Sequence, residues 1–150
     1  MTLDTEWTGR DYNINYSRKT RAEVSRLSQG TQVIQVDLLM LPTPVMEKGK
    51  KGYFPFVLLL VDKHSGMVPG MAMLSPEPDL HSMYESVPQK LLEEITKKGF
   101  RPKKIEIRSE QLFGLLQEVL NDAYCSPERV DQMPQLDEAF DSLVTHLNRK

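Results

Sequence analysis

Asp37 is the residue whose surroundings first suggest chemistry. It stands inside Val33-Ile34-Gln35-Val36-Asp37-Leu38-Leu39-Met40-Leu41, a run otherwise almost wholly apolar. A lone carboxylate among apolar neighbours is costly to bury. It therefore needs a cation from a neighbouring element, with Arg108 or Lys104 the candidates, or a place near the sheet edge. The other reactive types are easier to place. Asp62 opens Asp62-Lys63-His64-Ser65-Gly66, which reads as a hairpin turn, and a turn aspartate accepts backbone N–H groups one or two residues on. His64, His81 and His146 contain no pair at the i, i+4 spacing of a helical zinc site, so solvated histidines are expected. Cys125 precedes Ser126-Pro127 without a recognisable base or orienting group, which predicts an inert, partly buried thiol. Gly66 and Gly70 are not followed by the Lys-Ser/Thr start of a phosphate-binding helix.

Composition narrows the classes further. The chain has 150 residues, 19 Lys and Arg against 21 Asp and Glu, and a formal net charge of -2. That balance gives no overall pull toward nucleic acid or membrane. A single cysteine excludes an internal disulfide framework and a cysteine-rich metal site. The most apolar run, Phe54 to Val61, is broken by Pro55, and a bilayer span needs about 20 residues. No apolar signal-peptide core is visible at the N-terminus, so a cytoplasmic setting is expected. Charge is unevenly spread. Lys97, Lys98, Arg101, Lys103, Lys104 and Arg108 face only Glu106 within 97–108, whereas 110–141 holds eight acids against Arg129. Such a pattern fits solvated faces and helix-end complementation, or a bipolar surface that docks a partner or a second copy. The basic stretch has only Phe100 for base stacking, so nucleic-acid binding is not expected.

These residues must be positioned by elements that the periodicity predicts. Residues 1–31 are polar, with Trp7, Tyr12, Ile14 and Tyr16 scattered among Ser, Thr and mixed charge, and read as a polar N-terminal arm, either flexible or docked through its aromatics. Residues 32–150 read as the domain. Val33–Leu41 reads as a strand covered on both faces, Tyr53–Asp62 as a second strand, and Met67–Leu74 as a third. Pro69 and Gly70 mark that third strand as an edge or bulged one. Leu80, Met83, Val87, Leu91 and Ile95 then recur at helical spacing, interrupted by Pro88, which predicts two short helices or one kinked one. Lys97-Lys98-Gly99 is a helix stop. Lys104–Arg108 reads as a fourth strand, and Ser109 as the cap of a helix carrying Leu112, Leu115, Leu116 and Val119. Arg129–Asp131 reads as a short fifth strand. Met133-Pro134 opens a last helix with Leu136, Phe140 and Leu147 on its stripe. The order β-β-β-α-β-α-β-α predicts an α/β fold with a mixed five-stranded sheet and helices on both faces.

That order resembles the ribonuclease H-like fold of retroviral integrases and transposases. Gln35-Val36-Asp37 resembles the first strand of an integrase core, and Leu60-Val61-Asp62-Lys63-His64-Ser65-Gly66 its second-strand hairpin. The chain is also similar to a bacterial domain family of unknown function. The likeness lies in Leu41-Pro42-Thr43-Pro44-Val45-Met46, Ser75-Pro76-Glu77-Pro78 and Arg101-Pro102-Lys103-Lys104-Ile105-Glu106-Ile107-Arg108-Ser109-Glu110.

The integrase resemblance implies carboxylates from the first strand, the end of the fourth and the last helix. Together they would hold two divalent metals about 4 Å apart that activate water and stabilise the leaving oxygen. Asp37 matches the first position. Arg108-Ser109 stands where the pattern has an acid, with Glu110 one residue late, and a cation there repels a metal. Asp137 and Glu138 match the last position, where helix-dipole preference also favours acids. The expectation is a degenerate site without metal or cofactor in a non-catalytic interaction or accessory domain. Its partner would be an unknown protein, or a second copy through the Met67–Leu74 edge. The alternative is a divalent-metal-dependent nuclease or nucleic-acid-processing enzyme using Asp37, Glu110, Asp137 and Glu138.

Overall fold

The computed structural model describes residues 16–46, 48–49 and 51–148. Four helices and five strands alternate as α1 (Arg18–Arg26), β1 (Val33–Met40), β2 (Phe56–Asp62), β3 (Gly70–Leu74), α2 (Leu80–Lys98), β4 (Lys104–Ile107), α3 (Glu110–Asp122), β5 (Pro127–Arg129) and α4 (Pro134–Asn148). The strands form one mixed sheet in the order β3-β2-β1-β4-β5. β1, β2 and β3 pair antiparallel, and β4 and β5 join in parallel. The expected mixed α/β layout holds, with one helix more than the sequence suggested.

That helix is α1, inside the stretch read as an arm. Trp7, Tyr12 and Ile14 lie outside the described residues. Ser17 caps α1 by accepting the Thr20 N–H at 3.2 Å, and its own N–H donates to Gln89 Oε1 of α2 at 2.7 Å. Arg101 Nη1 donates to the Ser25 carbonyl at 3.0 Å. Val24 alone of the helix is fully buried, so α1 carries too short an apolar stripe to be recognised by periodicity. Val24→Ala is expected to cost about 2 kcal/mol in urea unfolding, because the methyls it removes are packed in the main core. An unchanged midpoint would mean that α1 is an appendage.

Other boundaries moved for local reasons. α2 runs unbroken through Pro88, whose ring is buried alongside Val87, Leu91 and Leu92. Packing there offsets the hydrogen bond that proline cannot donate. Gly99 closes α2 with φ 90°, a left-handed conformation that favours glycine. β3 begins at Gly70, since Pro69 cannot donate to the ladder, and Met67 stays in the loop. β5 occupies Pro127–Arg129, two residues earlier than expected, paired with Ile105–Ile107.

The sheet separates two cores. Ile34, Val36, Leu58, Leu60, Ile105 and Ile107 point to one face and pack with residues of α1, α2 and α3. Leu59 and Val61 point to the other and meet Met133 and Leu136 at the start of α4. Strand alternation therefore puts Gln35, Asp37, Glu106, Met71 and Met73 on the α4 face.

Backbone polarity follows a second alternation. Asp62 N–H donates to the Met67 carbonyl at 2.8 Å, Lys63 N–H to Val33 at 2.9 Å and Leu41 N–H to Pro55 at 2.9 Å. Even-numbered residues of β2 thus turn their main-chain groups to β3 and odd-numbered ones to β1. By register with Leu60, Leu58 and Phe56, residues Gly70, Ala72 and Leu74 face β2. The N–H and C=O of Met71 and Met73 face outward, at the free edge of the sheet.

Candidate functional site

β4 ends at Ile107, opposite Val36 of β1. The next amide of β1 on that side, Leu38 N–H, has no strand to meet, and Asp37 Oδ1 accepts it at 2.8 Å. Asp37 Oδ2 accepts from Arg108 Nη2 at 3.1 Å. Arg108 follows directly on β4 and also grips α4, donating from Nη1 to Asp137 Oδ2 and from Nη2 to Asp137 Oδ1, each at 2.9 Å. Of the two cations expected near Asp37, Arg108 is the one that arrives; Lys104 pairs with Glu128 on β5 at 2.9 Å.

Asp37 is only 7% exposed. Burial raises its pKa above the usual carboxylate value, and the Arg108 and Leu38 hydrogen bonds offset this only in part. Arg108 is held firmly cationic, first by the hydrogen bonds from its guanidinium to Asp137. The pair is therefore uneven: the exposed carboxylate does more for the guanidinium than the buried one, whose desolvation outweighs its partner.

A second polar cluster lies on the same face, nearer the start of β1. Gln35 is fully buried. Its Oε1 accepts the Leu136 N–H at 2.9 Å, meeting one of the free amides at the start of α4. Its Nε2 donates to Gln135 Oε1 at 3.0 Å and to Glu106 Oε1 at 3.2 Å. Lys63 Nζ lies 2.9 Å from Glu106 Oε2. No motif marks Gln35, Gln135, Glu106 and Lys63 as a cluster. Gln35 sits two residues before Asp37 in the same apolar run, so both polar side chains fall on one face of β1, and that spacing was the available signal.

A family model described as a domain of unknown function, DUF6930, matches residues 20–144. The chain belongs to this family. No match is found among curated proteins. The DUF6930 segment takes in most of α1, the whole sheet, both polar clusters and the first part of α4.

Within this DUF6930 domain the other sequence candidates do not converge. Of the four carboxylates, Asp37 and Asp137 are brought together, with the Arg108 guanidinium between them. Glu110 is the exposed first residue of α3, whose cap Ser109 accepts the Leu112 N–H at 3.1 Å. Glu138 is exposed and faces an open groove along α4 with Asp141, Ser142, Thr145 and His146. Among the described residues no group of three His, Cys, Asp or Glu side chains could hold a metal ion. Asp62 Oδ1 accepts the His64 and Ser65 N–H groups at 2.9 and 3.1 Å, as a turn aspartate should. His81 Nε2 lies 3.1 Å from Glu85. Cys125 is fully buried, which pushes its thiol up to about 12. No helix among the described residues is long and apolar enough to cross a membrane.

Proposed function

We propose that this DUF6930 member is a non-catalytic interaction or accessory domain of a bacterial cytoplasmic protein, built on a ribonuclease H-like frame whose site is degenerate. Three antiparallel strands followed by parallel crossovers support the frame. The observation that carries the non-catalytic reading is Arg108, a fixed positive charge donating to both Asp37 and Asp137. A guanidinium in that position occupies the oxygens a divalent ion would need and repels the ion as well.

The basic stretch supports the same reading, because much of its charge is used internally. Lys97 pairs with Glu94, Lys104 with Glu128 and Arg108 with two aspartates. Lys98, Arg101 and Lys103 remain, with Phe100 as the one aromatic in the stretch, so any affinity for nucleic acid is expected to be weak and salt-sensitive. The interaction surface is the β3 edge, uncharged between Gly70 and Leu74, where a protein strand could add to the sheet.

Calorimetric titration with Mn²⁺ is expected to show no saturable heat at millimolar levels. A saturable isotherm that disappears in Asp37→Asn would restore the divalent-metal-dependent nuclease as the better reading.

A further inference from the structure

We propose that the strand received by this edge is β3 of a second copy, paired antiparallel about a two-fold axis through Ala72; this rests on the reading of β3 as an open docking edge. The outward main-chain groups belong to Met71 and Met73, one donor and one acceptor each. Among the described residues no further strand meets them. Two such edges satisfy each other fully when Met71 of each copy lies opposite Met73 of the other, exchanging both hydrogen bonds at each pair. A one-residue shift is forbidden, because it would oppose outward-facing residues to inward-facing ones. Pro69 and Pro76 frame the strand and confine regular pairing to the residues between them.

Side chains favour the same partner. Met71 and Met73 are 45% and 54% exposed on the α4 face, although their neighbours in sequence, Gly70 and Leu74, are buried. In the symmetric register the four methionines form one apolar band across the junction, and methionine adapts readily to such contacts. Charge at the two ends is complementary. Lys98 shares a cleft with Asp62, Met67, Val68 and Pro69 at the entrance to β3; Asp62 there accepts the His64 and Ser65 amides and Glu94, beside Gly70, pairs with Lys97, while Glu77 and Asp79 are exposed just beyond the exit of β3. Antiparallel pairing brings the cationic end of each copy to the acidic end of the other, twice. A foreign strand would need an uncharged core and the same polarity at its ends; the second copy supplies both.

The full chain is expected to sediment as a dimer at about 100 μM, where a micromolar dissociation constant leaves most of it paired. Met71→Lys is expected to give a folded monomer whose melting temperature no longer rises with protein concentration and equals that of the dilute wild type, since the side chain is already half exposed and only the contact between copies is lost. Ala72→Cys, whose residues meet at the axis as a close non-hydrogen-bonded pair, is expected to form a disulfide dimer on mild oxidation. Met73→Cys, two positions out of register with itself, is expected not to. Cys125 does not compete, being buried with a raised thiol pKa. Cross-linking through Met73→Cys and not Ala72→Cys would overturn the register. A monomeric wild type whose Met71 and Met73 amides exchange rapidly with deuterium would overturn the second copy and leave the edge open to another strand. A monomeric wild type whose amides exchange slowly would overturn the open edge itself.

Discussion

Gln35→Ala is expected to lower the unfolding free energy by about 3 kcal/mol, the sum of a polar cavity and two groups left without partners. Gln35 has no access to solvent and is the single link between the Leu136 amide, Gln135 and Glu106. Without it the Leu136 N–H is buried at the start of α4 with nothing to accept it, and Glu106 keeps only Lys63. The loss should appear as a fall in the urea midpoint. Gln35→Glu should also be destabilising, because the new carboxylate would face the Glu106 carboxylate and cannot donate to Gln135. A change below about 0.5 kcal/mol in Gln35→Ala would show that the Gln35 hydrogen bonds do little to hold α4, since that is the range of a surface substitution.

Arg108→Met is expected to cost about 2 kcal/mol, below the 3–5 of a wholly buried ion pair because Arg108 retains partial exposure. It would leave the buried Asp37 carboxylate with the Leu38 amide as its remaining hydrogen bond. Asp37→Asn is expected to be neutral or stabilising by less than about 1 kcal/mol at pH 7, because an amide still accepts from Leu38 and avoids the cost of burying charge. Arg108 would keep its paired bonds to Asp137. The double substitution should therefore recover most of the loss, and a double-mutant cycle measures that coupling.

The direction of the Asp37 shift gives the pH dependence. Its folded pKa is raised above 3.8, so the stability contributed by the protonated group is fully present below 3.8 and is lost as pH rises through the folded value. Asn cannot titrate, so its advantage over the wild type should grow from pH 3 to pH 7. The opposite trend would mean that the ion pair with Arg108 outweighs burial.

The helices and the sheet class were legible because their signals are local. Leu91 and Ile95 before Gly99 give α2 its stripe and stop, and Ser109 before Leu112 gives α3 its cap and stripe. α1 was not legible, because its stability comes from Gln89 and Arg101, distant residues that complete what a single buried valine cannot. At the candidate site, Asp37 announced its need for a cation and Arg108 was one of two named. Glu110 and Glu138 were drawn in by position along the chain, but helix rotation turns them to solvent. The link between Gln35 and Glu106 is not legible in the sequence, because an isolated polar residue in a strand gains its meaning only from the face it shares, and that face is assembled from β1, β4 and α4.

Chain direction gives the polar face of β1 a role in time. β1, β2 and β3 are synthesised before β4 and α4, so among the described residues the helix that covers the far side of the sheet is made last. A face built wholly of leucine and valine would spend that interval as an adhesive surface. Gln35 and Asp37 interrupt it with groups that water solvates well, and the clusters that later bury them require Glu106, Arg108 and α4. The same side chains are thus hydrated before α4 is made and internally bonded afterwards, because their partners lie at β4 and on α4.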